Sequence, residues 1–240
     1  MQQQPDDHRD AIVAQRPEYR PALPKVGLAV GEGGEANLGQ SGDVLGALGY
    51  YCIAVVIGLL LHIVIVYLGL LKLLTPLKLS QFFKAIAPAQ LLAFSTSSSG
   101  ATLPVTMRQC KEKLGASKET TSFVLPLGAT INMDGTALYQ AVAAVFIAQA
   151  SGMSLDMGDQ LTIVITAVLA SIGTAAVPGA GIIMLVIILE AVGIPGEGIA
   201  LILGVDRILD MLRTTTNVTG DAAVCAIIAH SEKQLHPPSD

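Results

Sequence analysis

From Leu45 to Leu71 the chain reads LGALGYYCIAVVIGLLLHIVIVYLGLL, and no Asp, Glu, Lys or Arg interrupts it. A helix crosses the hydrocarbon core of a bilayer with about 20 apolar residues. This run exceeds that length, so residues 44–74 read as a transmembrane helix. The composition of the whole chain points the same way, with 52% hydrophobic and 14% charged residues, where ordinary soluble domains carry about 25% charge. The fold class expected is an all-α membrane protein. His62 sits inside the run, where a lone histidine reads as a packed or helix-bonded residue before it reads as a ligand.

The ends of the chain differ from its middle. Residues 1–43 are rich in Gln, Pro, Gly and charge, lack the apolar core of a signal peptide, and read as a polar loop or tail. Their GEGGEANLG is followed by no GK[ST], so it reads as a linker and not a phosphate loop. Residues 233–240 form a second polar tail. The net charge of −5 carries little information about partners, because many carboxylates lie in these ends. Nothing suggests nucleic-acid binding. Cys52, Cys110 and Cys225 lie far apart without a CxxC spacing, and read as free buried thiols, not as a metal or disulfide framework.

After Lys72 the pattern changes. Residues 79–112 hold two short apolar pieces separated by STSSSG, each too short to cross and too polar at the join for one clean helix. Irregular backbone at membrane depth must face protein or a watery cavity, so a re-entrant hairpin is expected. Residues 158–193 repeat the design, with SIGTAAVPGAG breaking QLTIVITAVLA from IIMLVIIL. Two interrupted apolar segments in corresponding positions point to a transporter site between repeats. Between them, 120–150 reads as a helix carrying Asn132 and Asp134, and a last helix is expected over 197–232. Lys72, Lys78, Lys84, Arg108, Lys111, Lys113 and Lys118 mark the cytoplasmic side, while the opposite connections carry Asp156, Asp159, Glu190 and Glu197. The two hairpins are then oppositely oriented, one from each face.

The last helix carries VDRILDMLRTTTNVTGD at 205–221. Asp206, Asp210, Arg213, Asn217 and Asp221 recur every three or four residues, which at 100° per residue places them within about 80° of one another. Each charge costs on the order of 2.5–3.5 kcal/mol at a helix centre, so the stripe must face protein, water or ions. An internal Arg213–Asp210 salt bridge explains one pair; the excess of carboxylate leaves Asp206, Asp221 and Asp134 wanting cations. Hard oxygens suit a small ion such as sodium, and the planar fork of Arg213 suits a carboxylate. Asn217-Val218-Thr219 matches a glycosylation pattern by chance in a buried helix. An intramembrane aspartyl protease using Asp134 and Asp221 is the alternative from another class, but the contexts MD and VTGD are not those of such enzymes.

Together STSSSGATLPVTM (95–107), PLGATINMDGTALYQ (126–140), SIGTAAVPGAG (171–181) and VDRILDMLRTTTNVTGD (205–221) resemble the glutamate transporters, the dicarboxylate/amino acid:cation symporters. The resemblance runs from about 45 to 232, roughly the C-terminal half of a full-length member. It implies a transport domain that binds L-aspartate or L-glutamate through Ser97 and Ser99 of the first hairpin tip, Thr136, Val177 and Gly181 of the second, and Asp210, Arg213, Thr214 and Asn217. It implies one sodium site from Gly128, Asn132, Asn217 and Asp221, a second from Thr130, Ser171, Ile172 and Thr174, and a third from Asn132 and Asp134 with an earlier helix outside this chain. Gln140 stands where the mammalian members have a proton-carrying glutamate, which favours coupling to sodium alone. The expectation is a multi-pass cell-membrane symporter working by an elevator movement, homotrimeric where the scaffold half is present. The alternative is an isolated, non-transporting domain.

Overall fold

The computed structural model describes residues 38–236, with side chains from Leu45 onward. Of the loop expected over 1–43, residues 1–37 lie outside the described part, as do the last four residues of the chain. Residues 38–43 are helical, a correction to that expectation, because the first helix extends upstream of its apolar run. Among the described residues the secondary structure is helical throughout, apart from a single bridge between Ala116 and Leu235. The first rod is continuous: α1 (Leu38–Leu61) runs into a π-helical stretch (His62–Leu68) and then α2 (Gly69–Leu74). Pro76 ends it, since the residue before proline is pushed out of the helical region and Thr75 is extended at φ −140, ψ 155.

Of the most apolar part of this rod only 17% is buried. Ile53, Ile57, Leu60, Val64, Ile65 and Leu73 face outward, the opposite of what the core helix of a soluble protein does. Cys52 lies on this rod and is half-buried, a correction to its expected burial, whereas Cys110 and Cys225 are fully buried; all three thiols are free.

The first hairpin is α3 (Leu79–Thr96) packed on α4 (Ser99–Glu112). Ser97 ends α3 in the left-handed region at φ 53, and Ser98 caps α4 by accepting from the Ala101 amide. The expected single helix at 120–150 is instead two. Ser117 caps α5 (Lys118–Ile131), Asn132 and Met133 leave helical geometry, and α6 (Asp134–Ala150) follows. Asn132 (φ −89, ψ 68) and Met133 (φ −108, ψ 43) are held out of helical geometry by the last helix, where Asn132 Nδ2 donates to Asp221 and the Gly135 amide donates to Asn217. Non-helical backbone inside an apolar span persists only where protein or a cavity meets it.

The second hairpin is α7 (Met157–Ile172), started by a capping box between Asp156 and Asp159, and α8 (Ala180–Ala191). Gly179 enters α8 at φ +75, a left-handed turn that favours glycine. After a short 3₁₀ turn at Gly196–Gly198 comes α9 (Ile199–Ser231), about 50 Å long at 1.5 Å per residue.

Helix α9 is the axis, touching α1, α3, α4, α5 and α6. Its N-terminal part, with Ile202 and Leu209, joins the apolar cluster of Tyr139, Ile147, Ile163 and Ile188. Its C-terminal part, Ala222 to Ala229, joins a second cluster with Phe82, Ile86, Leu125 and Cys110. The arms of the second hairpin belong to the first cluster and the arms of the first hairpin to the second. Their tips therefore approach from opposite ends of α9 and meet beside its polar stretch.

Candidate functional site

The tips close on each other through one carbonyl. The oxygen of Ala176 accepts from the Ser98 hydroxyl at 2.7 Å and from the Gly100 amide at 3.2 Å. Beneath them lies a small cleft, partly open to the outside. All nine residues expected to meet a substrate line it: Ser97 and Ser99 from the first tip, Val177 and Gly181 from the second hairpin, Thr136 from α6, and Asp210, Arg213, Thr214 and Asn217 from α9. Residues 136 and 210–217 come from different helices, brought together by the packing of α6 on α9.

The cavity's charge is arranged around Arg213, which is 2% exposed. Its Nε donates to Asp210 Oδ1 at 2.9 Å, and its guanidinium lies 4.4 Å over the Tyr139 ring. The internal salt bridge weighed from the sequence is thus present for this pair. Asp210 is further held by the Gly179 amide at 2.9 Å on its other oxygen. Asp206, next along the stripe, accepts from the Tyr139 hydroxyl at 2.7 Å. Yet Arg213 Nη1 and Ser97 Oγ are buried without a hydrogen-bond partner, as is Gln140 Oε1, whose Nε2 donates to the Gly181 carbonyl. Buried polar groups are normally satisfied; two of these three belong to residues that line the same cavity. A Cβ at 181 would run into the guanidinium, which could stay in place only with glycine there.

Asn217 couples this cavity to the break between α5 and α6. Its Oδ1 accepts from the Gly135 amide at 2.8 Å, and its Nδ2 donates to Thr136 Oγ1 at 3.1 Å. Being buried, Asn217 and Thr219 are out of reach of glycosylation. Of the first expected sodium set, Asn132 Nδ2 donates to Asp221 Oδ1 at 3.0 Å, and a Cβ on Gly128 would stand 2.7 Å from that same oxygen. Gly128, Asn132 and Asp221 are therefore one cluster, with Asn217 one turn of α9 away. The second set is less gathered: α5 and α7 touch, but the hydroxyls of Thr130, Ser171 and Thr174 each donate within their own chain segment, to Leu127, Val168 and Ala170, and Ile172 is exposed.

Asp134, of the third set, shows what the sequence concealed. Its Oδ2 accepts from the Tyr67 hydroxyl and lies 2.7 Å from His62 Nε2, while its Oδ1 accepts from the Gly135 amide. His62 is thus bonded to a carboxylate on another element, not to its own helix. Tyr67 and Tyr139 carried no sequence signal, being aromatic residues in apolar surroundings. Asp134 and Asp221 have separate partners and share no hydrogen bond. The donors in these clusters are carboxylate, amide and phenol groups, and among the described residues no three His, Cys, Asp or Glu gather as a transition-metal site would need.

The model of the family described as the sodium:dicarboxylate symporter family matches residues 36–231. Over 195 residues the chain is 50% identical to excitatory amino acid transporter 1 of Ambystoma tigrinum, covering 81% of this chain and 36% of that protein. Against the human excitatory amino acid transporter 1 the identity is 49% over 189 residues, with 79% and 35% covered. Against the human excitatory amino acid transporter 2 it is 48% over 186 residues, with 78% and 32% covered. The chain spans about a third of the length of these curated relatives.

Proposed function

The chain belongs to the sodium:dicarboxylate symporter family, a family of transporters and not of enzymes, and from that premise we propose that residues 44–232 are the transport domain of a sodium-coupled symporter of L-aspartate or L-glutamate. The protease alternative is set aside with it. The observation that carries the reading is Arg213, buried in the cavity wall with Nη1 unpartnered. A buried charged donor without an acceptor is costly, and a ligand carboxylate supplies the acceptor in the geometry a guanidinium prefers. Asp210 then turns from Arg213 toward the ligand's amine, and Ser97, Ser99, Thr136, Val177, Gly181, Thr214 and Asn217 complete the enclosure.

Sodium is cargo in this scheme. Asp221 with Gly128, Asn132 and Asn217, and Asp134 with Asn132, offer the hard oxygens it prefers; Thr130 with Ser171, Ile172 and Thr174 gathers around an ion as the second hairpin closes. Neutralising these carboxylates lets the polar band stay dry inside the membrane. The hairpins enter the bilayer from opposite faces as gates, and the whole body moves, elevator-fashion, against a scaffold in a homotrimer in the cell membrane.

The test is titration of L-aspartate into the purified chain in sodium chloride and in choline chloride. Binding is expected in sodium only, and Arg213→Cys is expected to abolish it while the helical content is retained; unchanged aspartate affinity in that variant refutes the assignment. The second reading is an isolated domain that binds without transporting. Uptake into liposomes separates the two, since binding without uptake marks the isolated domain.

A further inference from the structure

The π-helical stretch His62–Leu68 changes which residues share a face. Hydrogen bonds there run from i to i+5, so residues five apart lie one above the other, whereas in an α-helix they diverge by about 140°. His62 and Tyr67 are five apart, and both reach the same oxygen, Asp134 Oδ2. The phenol of Tyr67 is 3% exposed and is wedged onto α9 as well. A Cβ on Gly220 would strike its hydroxyl and would stand 3.0 Å from Asn132 Nδ2. One hydroxyl thus touches Asp134 and lies beside the amide that bonds Asp221.

We propose that Tyr67 is a positioning residue for sodium: its phenol donates to Asp134 and holds the carboxylate ready beside Asn132 and Asp221. The inference rests on the symport reading and adds to it a group from a helix that the expected sodium ligands do not include. A carboxylate on a free side chain must be ordered when the ion arrives, at the expense of affinity. Here the first helix orders it in advance, and the π stretch is the device that turns both donors toward it. Glycine at 220 keeps the room the phenol needs.

The experiment follows thermal unfolding of the full purified chain against sodium concentration, with choline holding ionic strength constant. Tyr67→Phe keeps the ring and removes the hydroxyl. The unfolding temperature in choline is expected to fall modestly, since the bond is already made without the ion, while the sodium concentration for half-maximal stabilisation rises by up to about tenfold, on the order of the cost of ordering one side chain on binding. L-Aspartate affinity at saturating sodium is expected to be retained. An unchanged sodium midpoint overturns the inference, including the case where the variant merely melts earlier in choline. Gly220→Ala, which crowds the hydroxyl and the Asn132 amide together, is expected to shift the midpoint in the same direction. If Tyr67→Phe does not fold alone, its sodium midpoint measured with L-aspartate present, which stabilises the folded state by mass action, decides the matter. If the unaltered chain shows no sodium-dependent shift, the symport reading falls and this inference with it.

Discussion

Arg213 illustrates how a single residue can be both satisfied and waiting. Its Nε is bonded to Asp210 and its plane rests on Tyr139, but Nη1 has no partner. The neighbouring glycine at 181 is what leaves room for it. Gly181→Ala is therefore expected to displace the guanidinium and lower L-aspartate affinity by at least about tenfold, the scale of a disturbed charged hydrogen bond, with circular dichroism unchanged; calorimetry that shows full affinity would contradict this. The stripe that contains Arg213 was legible because a helix repeats every 3.6 residues and five polar side chains kept that period. Tyr67 and Tyr139 were not legible, since an aromatic residue among aliphatics carries no local mark of a partner some 70 positions away. The half-exposed Cys52 was misjudged for a related reason: in a helix apolar on all sides, the sequence does not say which side faces the protein.

Among the elements, the breaks that part α3 from α4 and α7 from α8 were the most legible, because Ser-rich and Gly/Pro-rich joins interrupt otherwise apolar runs. The break at Asn132–Met133 and the π stretch were not. Both are changes of backbone hydrogen bonding within runs whose composition remains compatible with an α-helix, and long-range contacts to α9 and Asp134 hold them. The tip of the first hairpin is built on Ser98, which caps α4 and also bonds Ala176. Ser98→Ala removes both interactions. Loss of the cap costs about 1 kcal/mol, and loss of the tip contact is expected to quicken substrate release several-fold, on the order of one lost hydrogen bond, read as a faster off-rate in stopped-flow dilution; an unaltered off-rate would show that the tips are held by other means.

At the scale of the whole molecule, α9 passes unbroken through both apolar clusters, so neither cluster is expected to unfold without the other. Scanning calorimetry of the purified chain should give one cooperative transition, moved upward more by sodium and L-aspartate together than by either alone, since ligands that bind only the folded state stabilise it by mass action. Two separate transitions would mean that α9 frays between the clusters. The membrane class and the order of helices were readable from hydropathy and charge; the depth at which the tips meet was not, because it depends on how far each hairpin reaches along α9. That meeting point has a consequence for how the gate tolerates change over generations. Its acceptor is a main-chain oxygen, which every amino acid possesses, so residue 176 can drift among small side chains without releasing the latch. The donor at 100 is likewise a main-chain amide, which only proline lacks, whereas the donor at 98 is a side-chain hydroxyl; inherited variation that loosens closure should therefore concentrate at position 98.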